Sequence, residues 1–201
     1  MWENLSEILK AINKLRFKII IILLFIGTLI YWFKSDISKL ITAEKINKDI
    51  NNNVLINKML NDLMFKYSAD RAYIFQFHNT IKFYDGTHKN HQSCTFEVVN
   101  LGISRVSSQQ QNIPVSLFPV FLQDVMFNKM HYQNIDNMEE TTTRIELSNQ
   151  GVKSLYIAPY FKDGQFVAYI GLDYVKDTMK TNINYLQFQG YTNQIGNLLT
   201  E

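Results

Sequence analysis

Three kinds of hydrophobic pattern follow one another along the chain. The first is a solid apolar run, Ile19 to Phe33 (IIIILLFIGTLIYWF), fifteen residues without a charge. Counted from Phe17, with the Lys18 amine reaching back to the headgroups, it is seventeen residues long, the short end of what spans a bilayer. Arg16 and Lys18 flank it on one side and Lys34 on the other. Tyr31 and Trp32 stand together next to Phe33 at its end, where an aromatic belt lies. This pattern predicts a single membrane helix over 17–34. The run ends in bulky residues and a lysine instead of small ones, which argues against a cleaved signal peptide. Upstream, Trp2, Leu5, Ile8, Leu9, Ile12 and Leu15 recur at helical spacing, so 1–16 reads as a short amphipathic segment. It either lies in the interface plane or extends the membrane helix.

The second pattern is helical. From Asp36 to Tyr67 there is no Gly or Pro, and Ile37, Leu40, Ile41, Ile46, Ile50, Val54, Leu60 and Leu63 recur at about 3.6-residue spacing. A helix over 35–68 is expected to leave the membrane and pack onto a domain at its far end. The polar stretch Asn47 to Asn53 is its expected point of bending or fraying. A parallel coiled coil is not claimed, because the heptad pattern is not sustained.

The third pattern belongs to a globular unit over 69–201. Tyr73, Phe75 and Phe77 alternate within 71–78, and CTFEVVNLGI (94–103) gives a second strand. A helix is expected over 117–129, opening with Pro119 in its first turn, and a short strand over 132–135. Two further β runs, 152–161 and 165–174, are joined by Lys162-Asp163-Gly164, a strong hairpin signal. An amphipathic helix over about 183–199 closes the chain. The order predicts an α+β unit, an antiparallel sheet with its helices on one side.

Charge and composition narrow the function. The net charge of +2 divides into +3 over residues 1–34 and −1 over the other 167, so the globular part lacks the basic surface of a nucleic-acid binder. Cys94 is the single cysteine, which excludes an intrachain disulfide and a multi-cysteine zinc site. Basic residues near the span tie. Lys10, Lys14, Arg16 and Lys18 precede it closely, and Lys34, Lys39, Lys45 and Lys48 follow, so the bias toward a cytoplasmic amino terminus is slight.

The polar cluster His78, Asp85, His88, His91 and Cys94 is the richest in donors. Its spacing departs from the usual zinc patterns, and a loop between strands accounts for it. Cys94 within an apolar strand reads as a small core residue. Glu139-Glu140 read as an exposed turn. There is no Gly-x-Ser-x-Gly elbow, metalloprotease helix or phosphate-binding glycine loop. Neither an enzyme nor a cofactor is expected. The aromatics Tyr73, Phe75, Phe77, Tyr156, Tyr160, Phe166 and Tyr169 read as core in preference to a cofactor cage.

Two resemblances follow from particular stretches. GVKSLYIAPYFKDGQFVAYIGLDYV (151–175) resembles the closing hairpin of a GAF-type domain, and the element order from about 44 to 199 fits that fold, or the related PAS arrangement. The layout of the whole chain is similar to the holins of T-even bacteriophages, with Leu23-Leu24-Phe25-Ile26, Tyr31-Trp32 and Pro159-Tyr160-Phe161 as local matches. That resemblance implies a non-enzymatic lysis protein. It would accumulate in the host inner membrane with a periplasmic globular domain and assemble with copies of itself into lesions that release endolysin. An antiholin would bind the globular domain. Gly27 and Thr28 are the small residues available for close helix approach. The other readings are a membrane-anchored GAF-like sensor of a small ligand and a structural membrane anchor. Against the sensor stands the absence of an output domain after residue 201.

Overall fold

A computed structural model describes residues 2–79, 86, 90–128, 131–177 and 182–200. By internal contacts the chain divides into two units, Met1–Asn51 and Asn52–Glu201. Helix α1 runs without interruption from Trp2 to Lys66. The helix is continuous through Asn47 to Asn53, so the expected fraying there does not occur. No Gly or Pro interrupts that stretch, and on the exposed face Asn57 and Asn61 donate their side-chain amides to the carbonyls of Asn53 and Asn57, both at 2.9 Å. Within the segment 1–16, the described residues 2–16 likewise belong to α1.

In the first unit, Arg16–Lys34 is long and apolar enough to cross a membrane, with a mean hydropathy of 2.0 and none of it buried. Ile19 to Ile26, Leu29, Tyr31, Trp32 and Phe33 are exposed. So are Arg16, Lys18, Gly27, Thr28 and Lys34. A Cβ at Gly27 would meet nothing within 4 Å, and the Thr28 hydroxyl is satisfied within the helix by the Phe25 carbonyl at 2.8 Å.

The second unit is built on one antiparallel sheet. Its strands are β1 (Arg71–His78), β2 (His91–Val99), β3 (Ile113–Pro114), β4 (His131–Asn134), β5 (Ser154–Lys162) and β6 (Gln165–Tyr174). They lie in the order β3-β2-β1-β6-β5-β4. Helices α2 (Pro119–Asn128), α3 (Thr141–Asn149) and α4 (Tyr185–Thr200) complete it. The hairpin forms as read: Asp163 (φ 50°) and Gly164 (φ 77°) both take left-handed conformations, the requirement of a tight two-residue turn between twisted strands.

Strand alternation divides the core in two. Ala72, Ile74, Tyr156, Ala158, Ile170 and Leu172 point to one face. There they meet Ile56, Leu60 and Leu63 from the end of α1, and Phe188 and Ile195 from α4. Tyr73, Cys94, Leu155, Ile157 and Tyr169 point to the other face and meet Leu122 and Val125 of α2 and, in part, Leu147 of α3. Helices therefore cover both faces, not one. The physical reason is that both in-phase sets along β1, β5 and β6 are apolar, and each needs a cover.

Two further expectations are corrected. The second strand spans His91–Val99 and not 94–103, because Asn100 to Gly102 turn the chain. Gly102 has φ 81°, Ile103 N donates to Asn100 O at 3.1 Å, and Leu101 stands in solvent. Glu140 does not lie in an idle turn. Its carboxylate accepts from Val120 N (3.3 Å) and Phe121 N (3.2 Å) in the first turn of α2, and from the Thr143 hydroxyl of α3. The neighbouring Glu139 is exposed.

Candidate functional site

On the α2–α3 face of the sheet a cavity of about 60 Å³ is left between β1, β2, β6 and the two helices. Its floor is set by strand register. Arg71 stands directly opposite Asp173, and Tyr73 opposite Gly171. On the other side of β1, β2 carries a bulge at Thr95, since Ile74 pairs with Phe96 and Phe75 with Cys94. The bulge resets the alternation, so Gln92, Cys94 and Glu97 all reach the cavity.

Gly171 makes room for the Tyr73 ring. A Cβ there would sit 2.2 Å from Tyr73 Cζ, a distance no packing tolerates. Gly171→Ala is expected to push the ring off the sheet at a cost of about 1–3 kcal/mol, read by thermal unfolding. An unchanged melting temperature would show that the ring moves freely.

The floor holds a buried ion cluster. Arg71 and Asp173 are each 2% exposed. Arg71 Nη1 donates to Asp173 Oδ2 at 2.8 Å, Nη2 donates to the Ser104 carbonyl at 3.2 Å, and Nε lies 3.2 Å from Glu97 Oε1. Glu97 is further held by the backbone N–H groups of Val106 and Ser107, at 2.9–3.1 Å. Asp173 Oδ1 has no hydrogen-bond partner. Burial pushes the Asp173 carboxyl up to about 6, against the opposing pull of Arg71 and Tyr73, and Glu97 adds to the rise. The folded chain thus holds a proton here at pH values where the unfolded chain has released it. The stability this gives is present in acid and lost as pH rises from 3.8 to about 6.

The charged and titratable groups around Asp173 are Arg71 and Tyr73 from β1, Cys94 and Glu97 from β2, Tyr169 on its own strand and Glu146 from α3. Asp173→Asn leaves Arg71 and Glu97 as a neutral pair. Between pH 4 and 8 the wild type is expected to lose up to roughly 3 kcal/mol that the variant keeps, at 1.36 kcal/mol per pH unit. Denaturant unfolding at the two pH values checks this, and parallel pH profiles would refute it.

Aromatic rings form the wall. Phe75 stacks on Tyr169 (centroids 5.1 Å apart, planes at 10°) and meets Tyr73 edge-on at 5.7 Å, while Phe121 meets Tyr169 at 6.2 Å. Burial raises the Tyr73 and Tyr169 hydroxyls well above their usual range, so both are neutral donors. Tyr169 donates to Gln92 Oε1 at 3.0 Å. Opposite the floor, Glu146 of α3 accepts from Gln110 (2.7 Å) and Gln150 (3.1 Å). Burial pushes the Cys94 thiol up to about 12, as expected of a core cysteine.

The expected aromatic set is thus divided. Tyr156 and Tyr160 belong to the opposite core, while Tyr73, Phe75 and Tyr169 line the cavity, with Phe77 and Phe166 beside them. Among the described members of the polar cluster, Cys94 stands apart from the histidines. His91 and Cys94, three apart in β2 before the bulge, face opposite sides of the sheet. The His91 ring stacks on His78 at 6.1 Å. Asp85 and His88 lie outside the described residues. Among the described residues no three His, Cys, Asp or Glu side chains form a metal-holding group. Arg71, Glu97 and Asp173 escaped the sequence reading. Their signal was a charge in phase with an inward aromatic: Arg71 with Tyr73, and Asp173 with Tyr169.

The six-stranded antiparallel sheet with helices on both faces has counterparts among solved structures. The phycocyanobilin-bound GAF domain of a cyanobacterial phytochrome is similar over 81% of this chain and 90% of its own, with a TM-score of 0.58 and 15% identity. The fold is GAF-like. The PixJ GAF domain of Thermosynechococcus elongatus matches 76% of this chain and 86% of its own, with a TM-score of 0.59 and 13% identity. The GAF domain region of a presumed membrane protein from Geobacter sulfurreducens PCA matches 78% and 98%, with a TM-score of 0.54 and 15% identity. No family model matches the sequence, and no curated protein matches it. At these identities the GAF-like likeness is one of fold.

Proposed function

We propose that the chain is a membrane-anchored sensor whose GAF-like unit binds a small molecule in the cavity above Arg71, Glu97 and Asp173. The observation that carries this is the polar floor. Charged groups are expensive to bury, and an acceptor left unpaired costs about 1–3 kcal/mol, which a bound ligand can offset. The volume of about 60 Å³ is far below the roughly 300–1,000 Å³ of sites for drug-sized ligands. The ligand is therefore of a few heavy atoms, unlike the phycocyanobilin of the similar domain.

A route for the signal is built in. Arg71 follows the end of α1 by five residues. Asp70 N donates to the Asp173 carbonyl at 2.9 Å, and the Tyr174 hydroxyl donates to the Tyr67 carbonyl at 3.0 Å. A ligand that draws Asp173 therefore pulls directly on the foot of the helix that carries Arg16–Lys34. In this reading that segment is the single membrane anchor, the amino terminus is cytoplasmic, and the protein is not an enzyme.

The test is a panel of small cations, anions and neutral compounds screened by thermal unfolding of the full chain in lipid nanodiscs. At least one class is expected to raise the melting temperature saturably, with the effect lost in Asp173→Asn. A panel without any stabiliser overturns the sensor reading.

The holin reading has one feature of its own in support: the apolar segment is exposed all round, with open space at Gly27 for another helix. In that reading many copies assemble in the host inner membrane, and an antiholin meets the globular unit on the periplasmic side. Expression beside a phage endolysin in a Gram-negative host decides it. Abrupt collapse of culture density at a reproducible time supports a holin, and steady growth removes it. Unchanged timing in Gly27→Leu would remove the role of Gly27 alone.

A further inference from the structure

The cavity is unbalanced in charge. Among the described residues lining it, Arg71 is the single cation, whereas Glu97, Asp173 and Glu146 are carboxylates. Arg71 is shared between Asp173 at 2.8 Å and Glu97 at 3.2 Å, one positive charge against two carboxylates. Glu146 is met only by neutral amides, and Asp173 keeps one oxygen without a partner while 98% of the residue is shielded from solvent. We propose that the cavity is a receptor site for a small primary ammonium ion, its N–H groups donating to Asp173 Oδ1 and its carbon end lying against Tyr73, Phe75 and Phe121. This inference rests on reading the cavity as a ligand site.

Each alternative class meets an obstacle in the same walls. An anion would face three carboxylates. A neutral compound would leave the charge imbalance uncompensated. A quaternary ammonium has no N–H to give Asp173. For a bare metal ion, no three His, Cys, Asp or Glu side chains among the described residues converge into a holding group. An alkylammonium ion supplies charge, donors and an apolar end together, and an aromatic face turned to it attracts the cation. The volume admits about four to six water-sized groups, enough for an amine of a few carbons.

The probe is ethylammonium chloride, titrated onto the full chain in nanodiscs at pH 8 with sodium chloride at matched ionic strength as the blank. Acetamide and sodium acetate serve as the neutral and anionic counterparts of similar size. Ethylammonium is expected to raise the melting temperature saturably, by about 5–10 °C at a hundredfold excess over its dissociation constant. Asp173→Asn is expected to weaken it about tenfold or more, the effect of losing a charge-assisted hydrogen bond. Glu146→Gln, which leaves the Arg71 pairs intact, is expected to weaken it several-fold, so the proposal stays testable if the first variant fails to fold. The proposal is overturned if ethylammonium does not bind at millimolar concentration, or binds both variants as well as the wild type. If acetamide or acetate binds instead, the ammonium class falls and the ligand site stands. If no compound of the wider panel binds, the sensor reading falls with it.

Discussion

Replacing Arg71 by methionine is expected to cost about 3–5 kcal/mol of unfolding free energy, the usual penalty for removing one partner from a buried ion cluster. The guanidinium lies between Asp173 and Glu97, with all three side chains nearly inaccessible to water. Methionine fills much of the volume but leaves two carboxylates facing one another with no cation between them. The loss should grow with pH, since in acid Asp173 can take up a proton and relieve the repulsion. The contrast with Asp173→Asn is the informative part. That change leaves one charge of each sign, and Arg71→Met leaves two of the same sign. Denaturant titration at pH 5 and pH 8 reads both effects. A loss under about 1 kcal/mol at pH 8 would show that water reaches the cluster.

Phe188→Ala is expected to cost a similar amount, about 3–5 kcal/mol, from the opposite face of the sheet. Phe188 is 0% exposed and is the point where α4 meets two other elements. Its ring meets Tyr67, just past α1, at 5.9 Å and 60°, and Tyr156 of β5 at 5.0 Å and 78°. Alanine removes both edge-on contacts and opens a cavity that Ile195 and Leu60 are too constrained to fill. Phe188→Leu should cost less, because most of the volume is kept. Leu186, two residues away and 78% exposed, is the control, and Leu186→Ala should change stability by no more than about 0.5 kcal/mol. Equal losses at 186 and 188 would mean that α4 packs in another register.

Most of the second unit was legible because its signals are local. The alternation in 71–78 fixes β1, Asp163-Gly164 fixes the hairpin, and Pro119 fixes the start of α2. What was missed depends on long-range pairing. Thr141 to Asn149 opens with three β-branched residues that favour strands, yet the segment is a helix, held by Glu140 at its start and by Leu147 against the second core. Leu101 and Ile103 look like strand residues but follow a turn. The bulge at Thr95 leaves no trace in composition, although it is what brings Glu97 round to Arg71. The ion cluster itself joins residues 26 and 102 positions from Arg71. No spacing rule reaches that far, and only a charge in phase with inward aromatics hints at it.

Glu140 has a consequence for how the cavity opens. One carboxylate holds both the first turn of α2, which carries Phe121, and Thr143 of α3, the helix that carries Glu146. Two helices tied at one point cannot breathe independently without breaking the two hydrogen bonds from Val120 and Phe121 to Glu140. The roof over the cavity is therefore expected to open as one cooperative unit, exchanging its amide hydrogens at a common rate, and Glu140→Gln should split that rate into two. In the proposed sensor reading, access to the buried floor would then be an all-or-none event, set by a residue that never touches what enters.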